Sequence, residues 1–164
     1  MTLTEPGVEV TMPCEDWYRA CTESATLAET AAALTLRRAG APAAAVLDIT
    51  LTNDTEQRDL NRTWRGKDAS TNVLAFPAVD KAEPLPPGAP LLLGDVVLAF
   101  ETVRREANEQ GKPLADHLRH LVVHGTLHLL GYDHLDRRGA ERMEAAEIAI
   151  LAELGMPNPY ADTI

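Results

Sequence analysis

Three of the chain's five histidines lie in one eleven-residue stretch, HGTLHLLGYDH, which runs from His124 to His134. His124 and His128 are four residues apart, a spacing that lets two imidazoles on one helix reach the same ion. Gly131 can end that helix and turn the chain back, which would bring His134 round to face the other two. The pattern therefore predicts a three-histidine zinc site with an open fourth position for water or substrate. The alternative is a set of hydrogen-bonded core histidines.

The remaining two histidines precede this stretch on the same predicted helix. His117, His120, His124 and His128 fall within about 80° of one another on one helical face. His120 and His124 are also four residues apart, but only His124 and His128 are followed by the glycine turn and a third histidine. We interpret His117 and His120 as supporting partners of the ligands or as surface residues.

Length and composition predict one globular domain over residues 1–164, and the histidine pattern makes a metal-dependent hydrolase domain the expectation for it. The chain has 164 residues, of which 45% are hydrophobic and 24% charged. It contains no apolar run near the ~18 residues that a membrane span needs, and we expect no membrane association. Cys14 and Cys21 are interpreted as small buried residues rather than as a disulfide, which favours the reducing cytoplasm.

The formal net charge of −10 argues against indiscriminate nucleic-acid binding. The acidic excess lies in residues 1–35 and 120–164, whereas residues 36–119 hold eleven basic and twelve acidic side chains. The centre of the chain is therefore nearly neutral, with local basic clusters.

The pattern along the chain predicts a single α+β (α/β layered) domain with a roughly four-stranded mixed sheet, about five helices and a zincin-like metal site. Asn53 or Asp54 is the candidate cap of the second helix, and Asp136 that of the last. Residues 80–90 hold four prolines and are expected to form an irregular loop. The strands are expected at 7–11, 43–52, 71–77 and 91–100, and the helices at 15–38, 54–65, 100–108, 113–130 and 136–154.

The histidine stretch resembles the signature of the YbeY family of bacterial endoribonucleases. TWRGKDASTNVLAFP (63–77) and LGDVVLAF (93–100) resemble two further segments of that family, in the same order. The resemblance implies a zinc-dependent, single-strand-specific endoribonuclease of ribosomal RNA maturation and ribosome quality control, with one zinc ion per chain. It also implies that the substrate is the 3′ end of the small-subunit RNA, and that the partners are the small ribosomal subunit and its associated proteins.

Two other functions remain open at this level. The histidine spacing also fits a zinc metallopeptidase, but those enzymes carry a glutamate general base where this chain has Gly125. The missing carboxylate counts against peptide hydrolysis. It is more compatible with phosphodiester hydrolysis, because a phosphodiester brings its own oxyanions and zinc-bound water is already acidified. The third function is a non-enzymatic ribosome-assembly factor with a structural zinc ion.

Arginine is the other residue type that the proposed chemistry needs. Arg58, Arg62 and Arg65 share one face of the predicted 54–65 helix, and Lys67 follows it. The resemblance assigns Arg65 the catalytic role of orienting and neutralising the scissile phosphate, for which a guanidinium is suited. Arg58 and Arg62 are equally compatible with RNA contact and with ion pairs to nearby carboxylates.

Two aspartates and the aromatic residues complete the candidates. Asp95 could orient a histidine or arginine of the site, or cap the helix that follows its strand. Asp133, next to His134, could accept a hydrogen bond from the ligand shell or act as a weak base. Trp17, Trp64 and Phe76 are interpreted as core residues rather than as platforms for stacked bases.

Overall fold

The computed structural model describes residues 5–78 and 89–160. Most of the loop expected at 80–90 lies outside these residues. In the described part, no helix is both long enough and apolar enough to cross a membrane.

Four strands and six helices make up the described chain. All four strands and the last four helices appear where the sequence predicts them, within two residues at most ends. The elements in chain order are β1 (Gly7–Thr11), α1 (Asp16–Ala20), α2 (Ser24–Arg38), β2 (Ala45–Thr52), α3 (Asp54–Arg65), β3 (Val73–Pro77), β4 (Leu91–Ala99), α4 (Phe100–Glu109), α5 (Leu114–Leu129) and α6 (Arg137–Glu153).

The helix expected over 15–38 is two helices, which is why the structure has six rather than five. Cys21 has an extended backbone, with φ −154° and ψ 105°, and it ends α1. The Ser24 hydroxyl donates to the carbonyl oxygens of Cys21 and Trp17, at 2.8 and 3.1 Å. A serine that satisfies carbonyls at a helix end stabilises the break between the two helices.

The strands form one mixed sheet in the order β1-β2-β4-β3. β1 and β4 both pair in parallel with β2, and β3 pairs antiparallel with β4. The predicted four-stranded mixed sheet in a single α+β domain is therefore confirmed. β3 is an edge strand beside β4. Helix α3, which carries the candidate arginines and precedes β3 in the chain, therefore lies on the β4 side of the sheet.

The core lies between the sheet and helices α2 and α5. Leu47, Ile49 and Leu51 of β2 are fully buried, and so are Leu118, Val122 and Leu127 of α5. Truncating a leucine at such a site typically costs about 2–5 kcal/mol of unfolding free energy. This packing holds α5 against the sheet, and that helix carries four of the five histidines.

Two of the predicted helix caps are present. The Asn53 side chain accepts a hydrogen bond from the Glu56 amide at 2.8 Å, which settles the choice between Asn53 and Asp54. Asp136 accepts from the Gly139 amide at 2.6 Å and begins α6. Asp54 instead accepts from Thr102 in the first turn of α4, through both its amide and its hydroxyl.

Candidate metal centre and phosphate site

Helix α5 carries histidines into one cavity and packs tightly on the sheet through Gly125, which lies between His124 and His128 in the chain. A Cβ atom on Gly125 would lie 2.8 Å from Val96 Cγ1 and 3.4 Å from Val73 Cγ2. Glycine permits this close approach of helix to sheet without any shift of the valines. A glutamate at position 125 would have to displace them, so the packing disfavours the peptidase base there.

The glycine turn after α5 places His134 beside the two helical histidines. Gly131 has φ 102°, a conformation that favours glycine, and the Tyr132 amide bonds back to the Leu127 carbonyl at 3.1 Å. The ring centroid of His134 lies 5.9 Å from that of His124 and 6.3 Å from that of His128. The three rings predicted to be ligands are thus brought together on one cavity wall.

The three rings lie somewhat farther apart than a bound zinc ion requires. As the side chains stand, no set of three His, Cys, Asp or Glu residues in the described ranges is gathered closely enough to hold a metal. Imidazoles bound through nitrogen to a tetrahedral zinc have ring centroids about 5 Å apart, given Zn–N bonds of about 2.0–2.1 Å. The observed separations of 5.9 and 6.3 Å exceed that spacing by roughly 1 Å, a difference that side-chain rotation can close.

His128 has the protonation state that a ligand needs. Burial lowers the pKa of His128, and the neighbouring His124, His134 and Arg65 lower it further. A lowered pKa keeps the imidazole neutral, with one nitrogen lone pair available to an ion. The donor set therefore fits a metal in its chemistry.

The structure adds a residue that the sequence analysis did not identify, Glu147 of α6. Its side chain is fully buried and accepts hydrogen bonds from His124 Nδ1 at 2.5 Å and His120 Nε2 at 3.0 Å, and one from the Tyr160 hydroxyl. Burial alone would raise the pKa of Glu147, but the bonds from His120, His124 and Tyr160 lower it to about 2. Glu147 is therefore a buried carboxylate beside a candidate ligand.

His117 and His120 are partners of carboxylates rather than surface residues. His117 is buried and its Nε2 lies 2.8 Å from Glu106 Oε1, which also accepts from the Asn72 side chain at 2.9 Å. Burial lowers the pKa of His117 despite that contact. Burial would raise the pKa of Glu106, but the bonds from His117 and Asn72 lower it. His117 and Glu106 both line the end of the cavity away from the glycine turn.

Arg65, the last residue of α3, enters the same cavity from the side of the sheet. Its Nη2 donates to the Ala75 carbonyl oxygen of β3, and its guanidinium lies 4.9 Å from the centre of the Phe76 ring. Gly66, with φ 70°, ends α3 directly after it. The arginine is thus held in place by the strand while its other N–H groups remain available for a ligand.

The other basic candidates do not join this cavity. Arg58 makes a two-bond ion pair with Asp68, at 2.7 and 3.0 Å, and Arg62 pairs with Asp59 at 3.0 Å. Lys67 is exposed just after α3. Among the described residues that line the cavity, none of these three is present. The α3 face therefore offers one cation to the cavity, Arg65.

The two aspartates lie elsewhere. Asp95 sits on β4 opposite Asp48 and Phe76, and its strand neighbour Val96 faces Gly125 of the histidine helix. Since side chains alternate along a strand, Asp95 points to the other side of the sheet. It does not cap α4 either, because the cap residue there is Ala99. Burial and repulsion from Asp48 raise the pKa of Asp95.

Asp133 serves the turn that leads into α6. Its Oδ1 accepts a hydrogen bond from the Leu135 amide at 3.2 Å, which fixes the chain on either side of His134. The structure thus shows Asp133 shaping the turn, and it is not among the described residues that line the cavity.

The aromatic residues divide differently from the sequence interpretation. Trp17 is fully buried and donates to the Thr52 carbonyl at 2.9 Å, as a core residue should. Trp64 is 65% exposed, so the prediction that it packs in the core is wrong. The chain after α3 turns back to bond Asn61, through the Lys67 amide and the Ala69 carbonyl, and leaves the indole uncovered.

The five histidines, Arg65 and Tyr160 line one large cavity of about 960 Å³. The histidines occupy one wall, Arg65 and β3 another, and the chain after α6 a third. A space of this size exceeds what one metal ion needs and falls in the range of pockets that bind organic ligands. Its lining residues include Arg65, Asn72, Glu106, Lys112, His117, His120, His124, His128, His134 and Tyr160.

The molecule is thus an α+β domain whose open cavity is lined by three histidines and a positioned arginine. The family model for endoribonuclease YbeY matches residues 13–155. The chain therefore belongs to the family of YbeY endoribonucleases, and the resemblance noted in the sequence is confirmed.

Individual relatives agree with this assignment. Endoribonuclease YbeY of Paramagnetospirillum magneticum is 50% identical over 157 residues, which cover 94% of this chain and 96% of the relative. The protein of the same name from Rhodopseudomonas palustris strain BisA53 is 44% identical over 162 residues, covering 99% and 94%. The solution structure of TM1509 from Thermotoga maritima is similar in fold, with a TM-score of 0.54, 19% identity, and coverage of 94% of this chain and 99% of that one.

Proposed function

We propose that this protein is a metal-dependent endoribonuclease that cuts single-stranded ribosomal RNA at the 3′ end of the small-subunit RNA. His124, His128 and His134 would hold one zinc ion, and Arg65 would bind the scissile phosphate. The observation that carries this proposal is that Arg65 and the three histidines line one cavity although they come from different elements. Family membership supports the RNA substrate.

Arg65 is built to hold a phosphate without moving. Its bond to the Ala75 carbonyl and its position over Phe76 fix the guanidinium plane. A planar guanidinium can give two parallel hydrogen bonds to phosphate oxygens and stays charged through the reaction. We therefore assign it to orienting the phosphate and to stabilising charge that develops on it.

The histidines supply neutral nitrogen ligands on the facing wall. A divalent metal bound there would polarise the phosphate and lower the pKa of bound water towards ~7. The pKa of His128 is already lowered by burial, so this ligand is neutral at pH 7. Metal binding then needs no proton to leave His128, which favours activity at neutral pH.

The other two functions are less compatible with these observations. A metallopeptidase of this spacing needs a glutamate at position 125, where a side chain would meet Val96 at 2.8 Å. A structural zinc site is closed on all sides, whereas these histidines face a cavity of about 960 Å³. The proposed partners are RNA and the small ribosomal subunit with its proteins, and the proposed place of action is the cytoplasm, where the enzyme would serve ribosome quality control.

Cleavage of a labelled, 3′-extended small-subunit RNA fragment tests the proposal. The wild type is compared with His128→Ala and Arg65→Ala from identical purifications, and an unfolded peptide substrate is assayed in parallel. RNA cleavage confined to the wild type supports the proposal. Equal behaviour of all three proteins on RNA, or peptide cleavage that depends on His128, would overturn it.

A further inference from the structure

Glu147 occupies a position on α6 that a leucine would suit. Met143, Ile150 and Leu151 share its helical face, and all four side chains are buried, Glu147 completely. A carboxylate leaves water only at a cost, so a buried one needs charged or hydrogen-bonding partners. Its presence in the core points to a task beyond packing.

The hydrogen bonds to Glu147 indicate which nitrogen of each neighbouring histidine ring carries a hydrogen. An ionised carboxylate only accepts hydrogen bonds, so His124 Nδ1, at 2.5 Å, must carry a hydrogen. His120 Nε2, at 3.0 Å, must carry one for the same reason. In neutral His124 the lone pair is then on Nε2, the nitrogen left for an ion in the cavity.

The third donor comes from the C-terminal segment. Tyr160 follows Pro157 and Pro159, which direct the chain back over the cavity after α6, and its ring stands edge-on to His120 with centroids 5.6 Å apart. The Tyr160 hydroxyl donates to the same Glu147 oxygen that accepts from His120. This residue lies beyond the 13–155 segment that the family model matches.

We propose that Glu147 and Tyr160 are positioning residues that hold His124 in its Nδ1–H form, with Nε2 directed at the cavity. Tyr160 holds the Glu147 carboxylate in place, so the C-terminal segment supports a ligand histidine without contacting it. The arrangement matches the general design in which a ligand imidazole donates its other N–H to a carboxylate, which raises its basicity and fixes its orientation. The inference rests on the proposed function, in which His124 binds the metal.

The first experiment reads the ring directly in metal-free, ¹⁵N-labelled protein by NMR. In the wild type, the His124 nitrogen shifts should show the Nδ1–H form alone. Glu147→Gln should populate the Nε2–H form, and Tyr160→Phe should do so to a smaller extent. Tyr18→Phe is the matched control, because Tyr18 is an exposed tyrosine on α1. Unchanged His124 shifts in both Glu147→Gln and Tyr160→Phe would overturn the inference.

The second experiment measures zinc affinity by competition with a chromogenic chelator. Loss of a carboxylate partner typically weakens metal binding about 10-fold to 100-fold, which is the effect expected for Glu147→Gln. Tyr160→Phe removes one of three hydrogen bonds to Glu147 and should weaken binding by about 3-fold to 10-fold. Tyr18→Phe should bind zinc like the wild type. Wild-type affinity in Tyr160→Phe would overturn the role of Tyr160.

Two features keep this test separate from other failures. Tyr160 is 41% exposed in the C-terminal segment, so its phenylalanine variant should unfold at the same urea concentration as Tyr18→Phe. The NMR measurement needs no metal. A wild type that shows the Nδ1–H form but binds no zinc would therefore overturn the metal site of the proposed function and still support the positioning of His124.

Discussion

Replacing Arg65 should abolish most RNA cleavage while leaving the proposed metal site and the fold intact. Within residues 5–78 and 89–160, its guanidinium contacts the Ala75 carbonyl and the Phe76 ring, so Arg65→Ala removes one backbone hydrogen bond and one cation–π contact at an exposed site. Exposed contacts of this kind contribute about 1 kcal/mol or less to folding. The unfolding midpoint should hardly change.

The catalytic loss should be much larger than the loss of stability. A hydrogen bond to a charged group is worth about 1.5–3 kcal/mol, which corresponds to a fall of about 10-fold to 150-fold in kcat/KM. Arg65→Lys keeps the charge but loses the planar fork, so it should recover only part of this activity. The control is Arg38→Ala, because Arg38 is an arginine held on the surface by a two-bond contact to Glu153, at 2.7 and 2.6 Å, and does not line the cavity.

Salt dependence gives a second and independent measure of the same contact. Each phosphate neutralised on a single strand contributes about 0.7 to the slope of log affinity against log salt concentration. Arg65→Ala should lower that slope by about this amount, and Arg38→Ala should leave it unchanged. Loss of zinc from Arg65→Ala, or full cleavage with an unchanged slope, would refute the assignment of Arg65 to the phosphate.

Three further predictions concern the surroundings of the site. Gly125→Ala should lower the unfolding free energy by about 1 kcal/mol. The new Cβ would lie 2.8 Å from Val96, and the higher helix propensity of alanine offsets only part of that cost. Urea unfolding checks this, with Gly7→Ala as the control because a Cβ at Gly7 would meet open space. A base stacked on the exposed Trp64 indole should make Trp64→Ala bind single-stranded RNA about 1–3 kcal/mol more weakly, without destabilising the fold. Quenching of tryptophan fluorescence by RNA should come from Trp64, since Trp17 is fully buried. Unaltered quenching in Trp64→Ala would contradict this. Lowering the pH below 6.5 should destabilise the wild type relative to His117→Gln. Burial lowers the pKa of His117, which faces Glu106, Lys112 and His120, so the unfolded chain takes up the proton at a higher pH than the folded one. Equal pH dependence of the two proteins in urea unfolding would show that His117 is not responsible.

The parts of the fold and site that the sequence predicts well are those with local signals. The Asn53 and Asp136 caps, the turn at Gly131 and the four-residue spacing of His124 and His128 each depend on neighbouring residues in the chain. Such signals act through backbone geometry and hydrogen bonds within a few residues, so they survive into the tertiary structure. The metal role of the histidines stays a prediction, but their convergence on one cavity was foreseeable.

The parts that were missed depend on distant partners. Glu147 acquires its role from histidines on α5 and a tyrosine after α6, more than ten residues away in each case. The sequence did contain a signal, because Glu147 stands at helical spacing among Met143, Ile150 and Leu151, where an apolar residue is expected. A single carboxylate in an otherwise apolar stripe therefore indicates a buried polar contact.

Trp64 was misassigned because helical periodicity does not show where along a helix its packing against the rest of the domain ends. It lies seven residues after Gln57, on nearly the same face of α3, and Gln57 is fully buried against the Val97 and Thr71 backbone. Gln57 and Asn61 make α3's buried face polar, so the sequence gives little indication of how far that face extends. The last turn of α3 lies beyond it and exposes Trp64 beside Arg65.

The placement of Arg65 relative to His124 and His128 depends on how closely α5 approaches the sheet. Gly125 lies between His124 and His128 in the chain, and a Cβ there would meet Val73 as well as Val96. Val73 begins β3, and two residues further on Ala75 holds the Arg65 guanidinium. The same helix–sheet contact therefore positions the histidines and, through β3, the arginine. A glycine at this position thus disfavours the peptidase base and also permits the close helix–sheet packing on which both halves of the proposed nuclease site depend.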